Sequence, residues 1–403
     1  MIIRQDYLDT LAHYRDKQLI KVVTGVRHCG KTTLFRQFQD LLRRDGVSGE
    51  QILNIDFGEG HCAIKTGKEL YEYVRARLQP GIKLYIFLDS VHHLEGFIKT
   101  VFGLSMKREC DIYMAGPSAH LLGGEHASTL SGRYIEIKML PLSFREYISV
   151  HPGDRDTDGL FGDYVQNSAL PYTLELPSPK ARNYYLQGIF DTTILRDIVA
   201  KSRYPDLALL HSLVDFLAEN IGNTCSTKSL LDGLVYTGQK ISFHTLESYL
   251  AMLTDTSILY KIGRYDIKGL QYLKTGERYY AADIALMTAI LGVAKLEPTK
   301  LNDDQVIENV IFHELLRRGN EVCIGKVGIR EVDFVSIGFE GIEYYQVART
   351  VMDADNSMLK QQLAPLKAIR DHHPKYLLTL DPTPSRTHGG IRQMNVLEWL
   401  VKR

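Results

Sequence analysis

The chain has 403 residues, enough for two or three domains, with ordinary globular proportions of 44% hydrophobic and 24% charged residues. Lys plus Arg and Asp plus Glu balance at 48 each, so any nucleic-acid contact has to come from a local patch rather than a global field. No apolar run approaches the ~18 residues of a membrane span. The cysteines at 29, 62, 110, 225 and 323 form no CxxC pair, and residues 1–6 do not read as a secretory leader, so a cytoplasmic protein with no membrane partner is expected.

In chain order, residues 19–24 (LIKVVT) read as a β-branched strand and residues 33–42 as a helix with apolar residues at helical spacing. Between them, residues 25–32 (GVRHCGKT) match the GxxxxGK(S/T) phosphate loop in full. A strand, a glycine turn and a helix N-terminus aim backbone N–H groups and the helix dipole at an anion. Lys31 would reach the β- and γ-phosphates and Thr32 would ligate Mg²⁺, with Gly25, Arg27, His28, Cys29, Gly30 and Thr33 as further candidate contacts to ATP. Cys29 reads either as a small residue that fits the loop or as a thiol whose modification would block nucleotide.

Residues 51–57 read as a strand and 68–78 as a helix. Residues 83–89 (KLYIFLD) are a nearly continuous apolar run, as in a strand buried on both faces of a parallel sheet. Its terminal Asp89 reads as the Walker B aspartate that holds Mg²⁺ together with Thr32. A strand at 111–115 leads to Ser118, and Arg133 precedes the strand within 130–147. Arg133 either faces the γ-phosphate of a neighbouring subunit or is a surface arginine.

Residues 149–180, rich in Pro, Gly and Asp, read as a loop, followed by helices at 184–200 and 207–220. A short helix at 226–234, a turn at 237–240, a helix at 242–253 with Ser242 as N-cap, and a strand at 258–262 follow a winged-helix order. A DNA-binding version would place Ser242, Phe243, His244 and Glu247 in the major groove, with Lys228, Lys240, Arg264, Lys268 and Lys274 near phosphates. A rigid lid or oligomer contact is the alternative. The last segment reads as a helix at 304–318, strands at 321–326, 331–337 and 342–347, a helix at 355–370 and a strand at 376–380, an αβββαβ order.

The motifs at 24–32, 86–89, 130–147, 219–223, 263–269 and 308–347 resemble the AAA-type P-loop ATPases of bacteria and archaea that carry a winged helix and a restriction-endonuclease-like C-terminal domain of unknown function. The resemblance implies an α/β fold: a P-loop parallel-sheet ATPase core, a helical and winged-helix middle, and a small α/β nuclease-like end. The expected domains are an AAA-type P-loop domain at 1–150, lid and linker helices at 151–205, a winged-helix-like domain at 206–295 and a restriction-endonuclease-like domain at 296–403. The resemblance further implies ATP and Mg²⁺ as cofactors, a homo-oligomer, contact with DNA, and Arg133 as an arginine finger. Glu308, Asp333 and Gln346 fall on the metal-binding positions of a PD-(D/E)XK nuclease.

Three departures bear on chemistry. Ser90 stands where the family carries a water-polarising glutamate, and Ser118 where it carries a water-orienting asparagine; His92 or Glu59 is a conceivable substitute. Serine cannot act as a carboxylate base. Ala348 replaces the nuclease lysine, Gln346 is a weak neutral ligand, and Arg349 could restore charge but not act as a base. The sequence therefore predicts ATP binding with impaired hydrolysis, nucleotide state controlling assembly or engagement of DNA or another partner. The alternatives are an ATP-driven DNA-processing nuclease and an interaction scaffold with structural ATP.

Overall fold

The computed structural model describes residues 2–58, 62–117, 121–123, 125–151, 153, 156–193, 206–236, 238–239, 241–291, 303–382 and 384–402. They fall into two compact units, the first of residues 1–141 with 255–257, the second of residues 142–254 and 258–403.

The first unit runs α1 (Gln5–His13), β1 (Ile20–Thr24), α2 (Lys31–Arg44), β2 (Ile52–Asp56), α3 (Gly67–Arg75), β3 (Leu84–Asp89), α4 (Phe97–Ser105), β4 (Cys110–Gly116), α5 (Glu125–Leu130) and β5 (Tyr134–Lys138). Its sheet has the order β2-β3-β4-β1-β5 and every pair is parallel. The strands β1, β3 and β4 are buried along their whole length, which explains their apolar runs. Leu34, Phe35, Phe38 and Leu42 share the buried face of α2. Phe35 meets Phe87 at 5.3 Å and Phe38 meets Tyr113 at 5.3 Å, so α2 is held on β3 and β4 by aromatic contact. The one charged residue inside β1, Lys21, is paired with Asp111 of β4 at the sheet's N-terminal edge.

The second unit contains α6 (Phe144–Ser149), α7 (Thr157–Asn167), α8 (Pro179–Thr193), α9 (Leu207–Glu219), β6 (Thr224–Cys225), α10 (Thr227–Tyr236), α11 (Phe243–Asp255, whose last residue falls in the first unit), β7 (Leu259–Asp266), β8 (Gln271–Ala281) and α12 (Ile284–Leu291). It continues with α13 (Asp303–Arg317), β9 (Glu321–Val327), β10 (Arg330–Gly338), β11 (Gly341–Ala348), α14 (Ser357–Lys367), β12 (Lys375–Thr379), β13 (Arg386–His388), β14 (Ile391–Asn395) and α15 (Val396–Val401). Among the described residues the sheet order is β13-β14-β12-β11-β10-β9-β7-β8-β6.

Three sequence expectations change here. The loop expected at 149–180 contains α7, capped by Asp156, with Leu160, Phe161 and Tyr164 buried; Gly159 and Gly162 interrupt its apolar period and hid it. The first unit closes at Pro141 rather than at 150, because α6 packs against α15 and α7. The boundary expected at 295/296 does not interrupt hydrogen bonding: β7 pairs in parallel with β9, Arg264 opposite Ile324 and Asp266 opposite Lys326. The helix expected at 184–200 is described only to Thr193, and Lys240 of the expected turn lies outside the described residues.

Candidate functional site

The phosphate loop joins β1 to α2. Gly25 (φ +145°) and Gly30 (φ +105°) adopt backbone that side chains resist, and a Cβ at Gly25 would overlap the Met139 carbonyl. Gly30 caps α2 without a side-chain hydrogen bond, and the first helical bond runs from Leu34 N–H to the Gly30 carbonyl at 2.9 Å. The N–H groups of Lys31, Thr32 and Thr33 therefore have no intrahelical acceptor, which is what an anion seat requires. The Lys31 ammonium donates back to the carbonyls of Gly25 (2.8 Å) and Val26 (2.9 Å) within the same loop. Arg27 and His28 lie on the loop's rim, His28 at a positive φ of 62°. Cys29 is fully buried, so the loop presents no thiol to solvent.

Thr32 and Asp89 come together from different elements. The Thr32 hydroxyl donates to Asp89 Oδ2 at 2.5 Å. Burial pushes the Asp89 carboxyl above the usual carboxylate range, Asp56 adds to this, and the Thr32 hydrogen bond and Lys31 oppose it. A buried carboxylate whose ionised form is penalised is one that a divalent cation would stabilise, so this pair fits Mg²⁺.

Arg4 is a positioning residue that sequence reasoning missed. It is buried and donates to the carbonyls of Cys29 (3.2 Å), Leu140 (2.9 Å) and Pro141 (3.3 Å), tying the phosphate loop to the exit of β5. Tyr7 of α1 accepts from Leu140 N–H at 3.0 Å in the same clamp. An arginine four residues from the start carried no motif that would have singled it out.

The groups that would activate water are less complete. Ser90 follows Asp89 in left-handed backbone (φ +53°), its N–H donating to the Ala115 carbonyl at 2.9 Å and its hydroxyl 3.4 Å from Asp89 Oδ1. Ser118 and Glu59 lie outside the described residues. His92 packs toward the end of β4, where a Cβ on Gly116 would come within 2.9 Å of its Nδ1. Asp56 closes β2 in register with Asp89 and accepts from Gly58 N–H at 2.7 Å. It is a second carboxylate at this sheet edge, signalled in the sequence by an acidic residue at a strand end.

Arg133 precedes β5, whose Tyr134 pairs with Ile20 at the start of β1. It therefore sits at the sheet edge remote from the phosphate loop, about 13 Å of strand away. Its guanidinium lies against Met106 Sδ (2.9 Å) and 5.3 Å from the Phe102 ring centre. Arg133 cannot serve the phosphate loop of its own chain.

In the second unit, Glu308 of α13, Asp333 of β10 and Gln346 of β11 do converge. They line a polar cavity of about 340 Å³ with Gln362 and Arg278. Arg278 comes from β8 and is buried. Its Nη1 donates to Glu308 Oε2 at 3.2 Å and lies 3.7 Å from Asp333 Oδ1; its Nη2 donates to Glu331 Oε2 at 3.1 Å. Tyr280 donates to the same Glu308 oxygen at 3.1 Å, and Asp333 Oδ2 accepts from Val347 N–H at 2.9 Å. Burial, reinforced by the neighbouring Asp333, raises the Glu308 carboxyl to about 8, and burial raises Asp333 to about 6; Arg278 opposes both. Arg349 does not supply the missing positive charge, because its guanidinium pairs with Asp303 at the surface. Arg278 does, from 70 residues upstream of Ala348, the position that would carry the lysine, and with no spacing signal to mark it. The residues present do not fit a resident divalent metal: a guanidinium already bridges the two carboxylates, and among the described residues no cluster of three His, Cys, Asp or Glu side chains could hold one.

Residues 17–148 match the family model described as an AAA domain, and residues 159–297 match one described as a domain of unknown function. Over 411 aligned positions the chain is 32% identical to an uncharacterized protein of Haemophilus influenzae, covering 100% of this chain and 99% of that one. The chain belongs to that protein's family. It is also 24% identical to an uncharacterized protein of Methanocaldococcus jannaschii, over 87% of this chain and 79% of that one. Among solved structures it is similar to a Walker-type ATPase of Pyrococcus abyssi, with 14% identity, TM-score 0.49, and coverage of 72% of this chain and 96% of that one. The Aeropyrum pernix Orc1 protein, solved in complex with DNA, has 13% identity, TM-score 0.31, and coverage of 72% and 92%. The first unit is an AAA-type P-loop ATPase domain, and among the described residues no helix is long and apolar enough to cross a membrane.

Proposed function

We propose that the chain binds Mg-ATP at residues 25–33 with Thr32 and Asp89, hydrolyses it poorly, and uses the nucleotide to govern assembly. The carrying observation is the pairing of a complete anion seat with Ser90 directly after Asp89, where a hydroxyl stands in place of a further carboxylate. In this reading ATP supplies the phosphates that Lys31 leaves its backbone carbonyls to meet, and Mg²⁺ is held by Thr32 and Asp89. Arg133, remote from its own loop, acts on the nucleotide of a second copy.

Isothermal titration tests the binding step. Wild type takes up Mg-ATP with a micromolar Kd, and Lys31→Ala weakens it at least ~10-fold; an absence of heat from folded wild type at about 1 mM ATP would sink the proposal.

A second reading adds DNA. The order α9, β6, α10, α11 and the β7–β8 hairpin is consistent with a winged helix and supports this reading, and Ser242, Phe243, His244 and Glu247 at the start of α11 are exposed. Lys228 and Lys268 are exposed as well and suit phosphates. Mass photometry with a duplex present tests it: no added mass at saturating ATP and low salt removes this reading.

A further inference from the structure

We infer that Arg278 permanently fills the cation position of the Glu308–Asp333–Gln346 cavity, so that the second unit carries a metal-independent ionic lock in place of a metal centre. The placement carries this. A divalent ion in such a cavity would sit between the Glu308 and Asp333 carboxylates, and Nη1 of Arg278 occupies that position, 3.2 Å from one and 3.7 Å from the other. The guanidinium is fixed from its other end as well, by Glu331, which also pairs with Arg264 of β7.

Charge bookkeeping agrees with a filled site. Arg264 and Arg278 bring two positive charges to Glu331, Asp333 and Glu308, and Tyr280 donates a hydroxyl hydrogen bond to Glu308, so most of the cluster's negative charge is already compensated. Gln346 donates to Gln362 Oε1 at 3.2 Å, while its own Oε1 is buried without a partner among the described residues. Gln346 lines a cavity with room for water, and its amide is too neutral to draw Mg²⁺ from its hydration shell. The lock joins chain segments that are distant in sequence: Arg278 and Arg264 belong to the β7–β8 hairpin, Glu331 and Asp333 to β10, and Glu308 to α13. An arginine on the hairpin thus holds the strands and helix that follow it, across the 292–302 stretch of chain.

Mn²⁺ is the probe, titrated into the full-length chain without nucleotide and read by electron paramagnetic resonance. Wild type is expected to show no site that Asp333→Asn removes. Arg278→Met is expected to gain one site at least ~10-fold tighter than wild-type background, and Asp333→Asn in that variant is expected to abolish it. Wild type that binds Mn²⁺ in an Asp333-dependent manner overturns the inference, as does a folded Arg278→Met that gains nothing. If Arg278→Met does not fold, Arg278→Lys decides: with one positive charge retained it should bind no more Mn²⁺ than wild type, and an Asp333-dependent gain there contradicts the lock.

Discussion

Single residues set the chemistry at both ends of the chain. Asp89, buried, and Glu308, half-buried at its cavity, are both carboxyls pushed above the usual range, with different neighbours. Asp89 has a hydroxyl and a nearby lysine in a phosphate loop, and Glu308 has a guanidinium and a phenol. Glu308 yields a pH prediction with a definite sign. Its folded value of about 8 lies above the ordinary 4.5, so between those values the folded chain keeps a proton that the unfolded chain releases. Its contribution is therefore fully present below about pH 4.5 and lost as pH rises through about 8. Thermal unfolding of wild type and Glu308→Gln checks it: wild type should lose ground to the variant as pH rises from about 5.5 to 8.5, whereas a pH-independent difference would show that Glu308 is ionised throughout. The nuclease resemblance grouped Glu308, Asp333 and Gln346, and the three line one cavity. It could not give Arg278, because the partner comes from a hairpin whose pairing with β9 is a long-range event that no local pattern encodes.

At the scale of elements, the phosphate-loop sheet rests on a buried pair at its lower edge. Lys21 and Asp111 are fully buried, and Asp111 also accepts from Tyr113 Oη and Asp16 N–H, both at 2.9 Å. Burial lowers the Lys21 ammonium from its usual range and Asp111 opposes that. Removing one partner strands the other charge in the core. Lys21→Met should cost about 3–5 kcal/mol in chemical denaturation, and adding Asp111→Leu should recover much of it. A loss of under ~1 kcal/mol for the single variant would mean that Asp111 is satisfied by its remaining donors. The strands and α2 were legible because a run such as LYIFLD has one reading, a strand covered on both faces. Helix α7 was not, since its two glycines and proline-rich flanks mimic loop composition while Leu160, Phe161 and Tyr164 still bury one face. Arg4 was equally hidden, its role consisting of hydrogen bonds to carbonyls more than a hundred residues away.

At the scale of the whole molecule, a unit with a complete phosphate loop is followed by a second unit in which an arginine stands between the Glu308 and Asp333 carboxyls. In the proposed assembly Arg133, at the remote edge of β5, meets the nucleotide of a second copy, so particle mass is the readout. Mass photometry should show larger species with Mg-ATP than without, and Arg133→Ala should bind ATP but remain smaller; unchanged mass for wild type across ATP concentrations would rule out nucleotide-governed assembly. The central claim is that ATP is held but scarcely turned over, because Ser90 supplies no carboxylate to polarise water. A positioned general base contributes roughly 10²–10⁴-fold. Phosphate release at saturating Mg-ATP, measured for wild type beside Ser90→Glu, tests this most directly. The account predicts wild type at least ~100-fold below the glutamate variant. Wild type turning over at an ordinary ~1–10 per second, with no gain from glutamate, would contradict it and point instead to Asp56 at the end of β2.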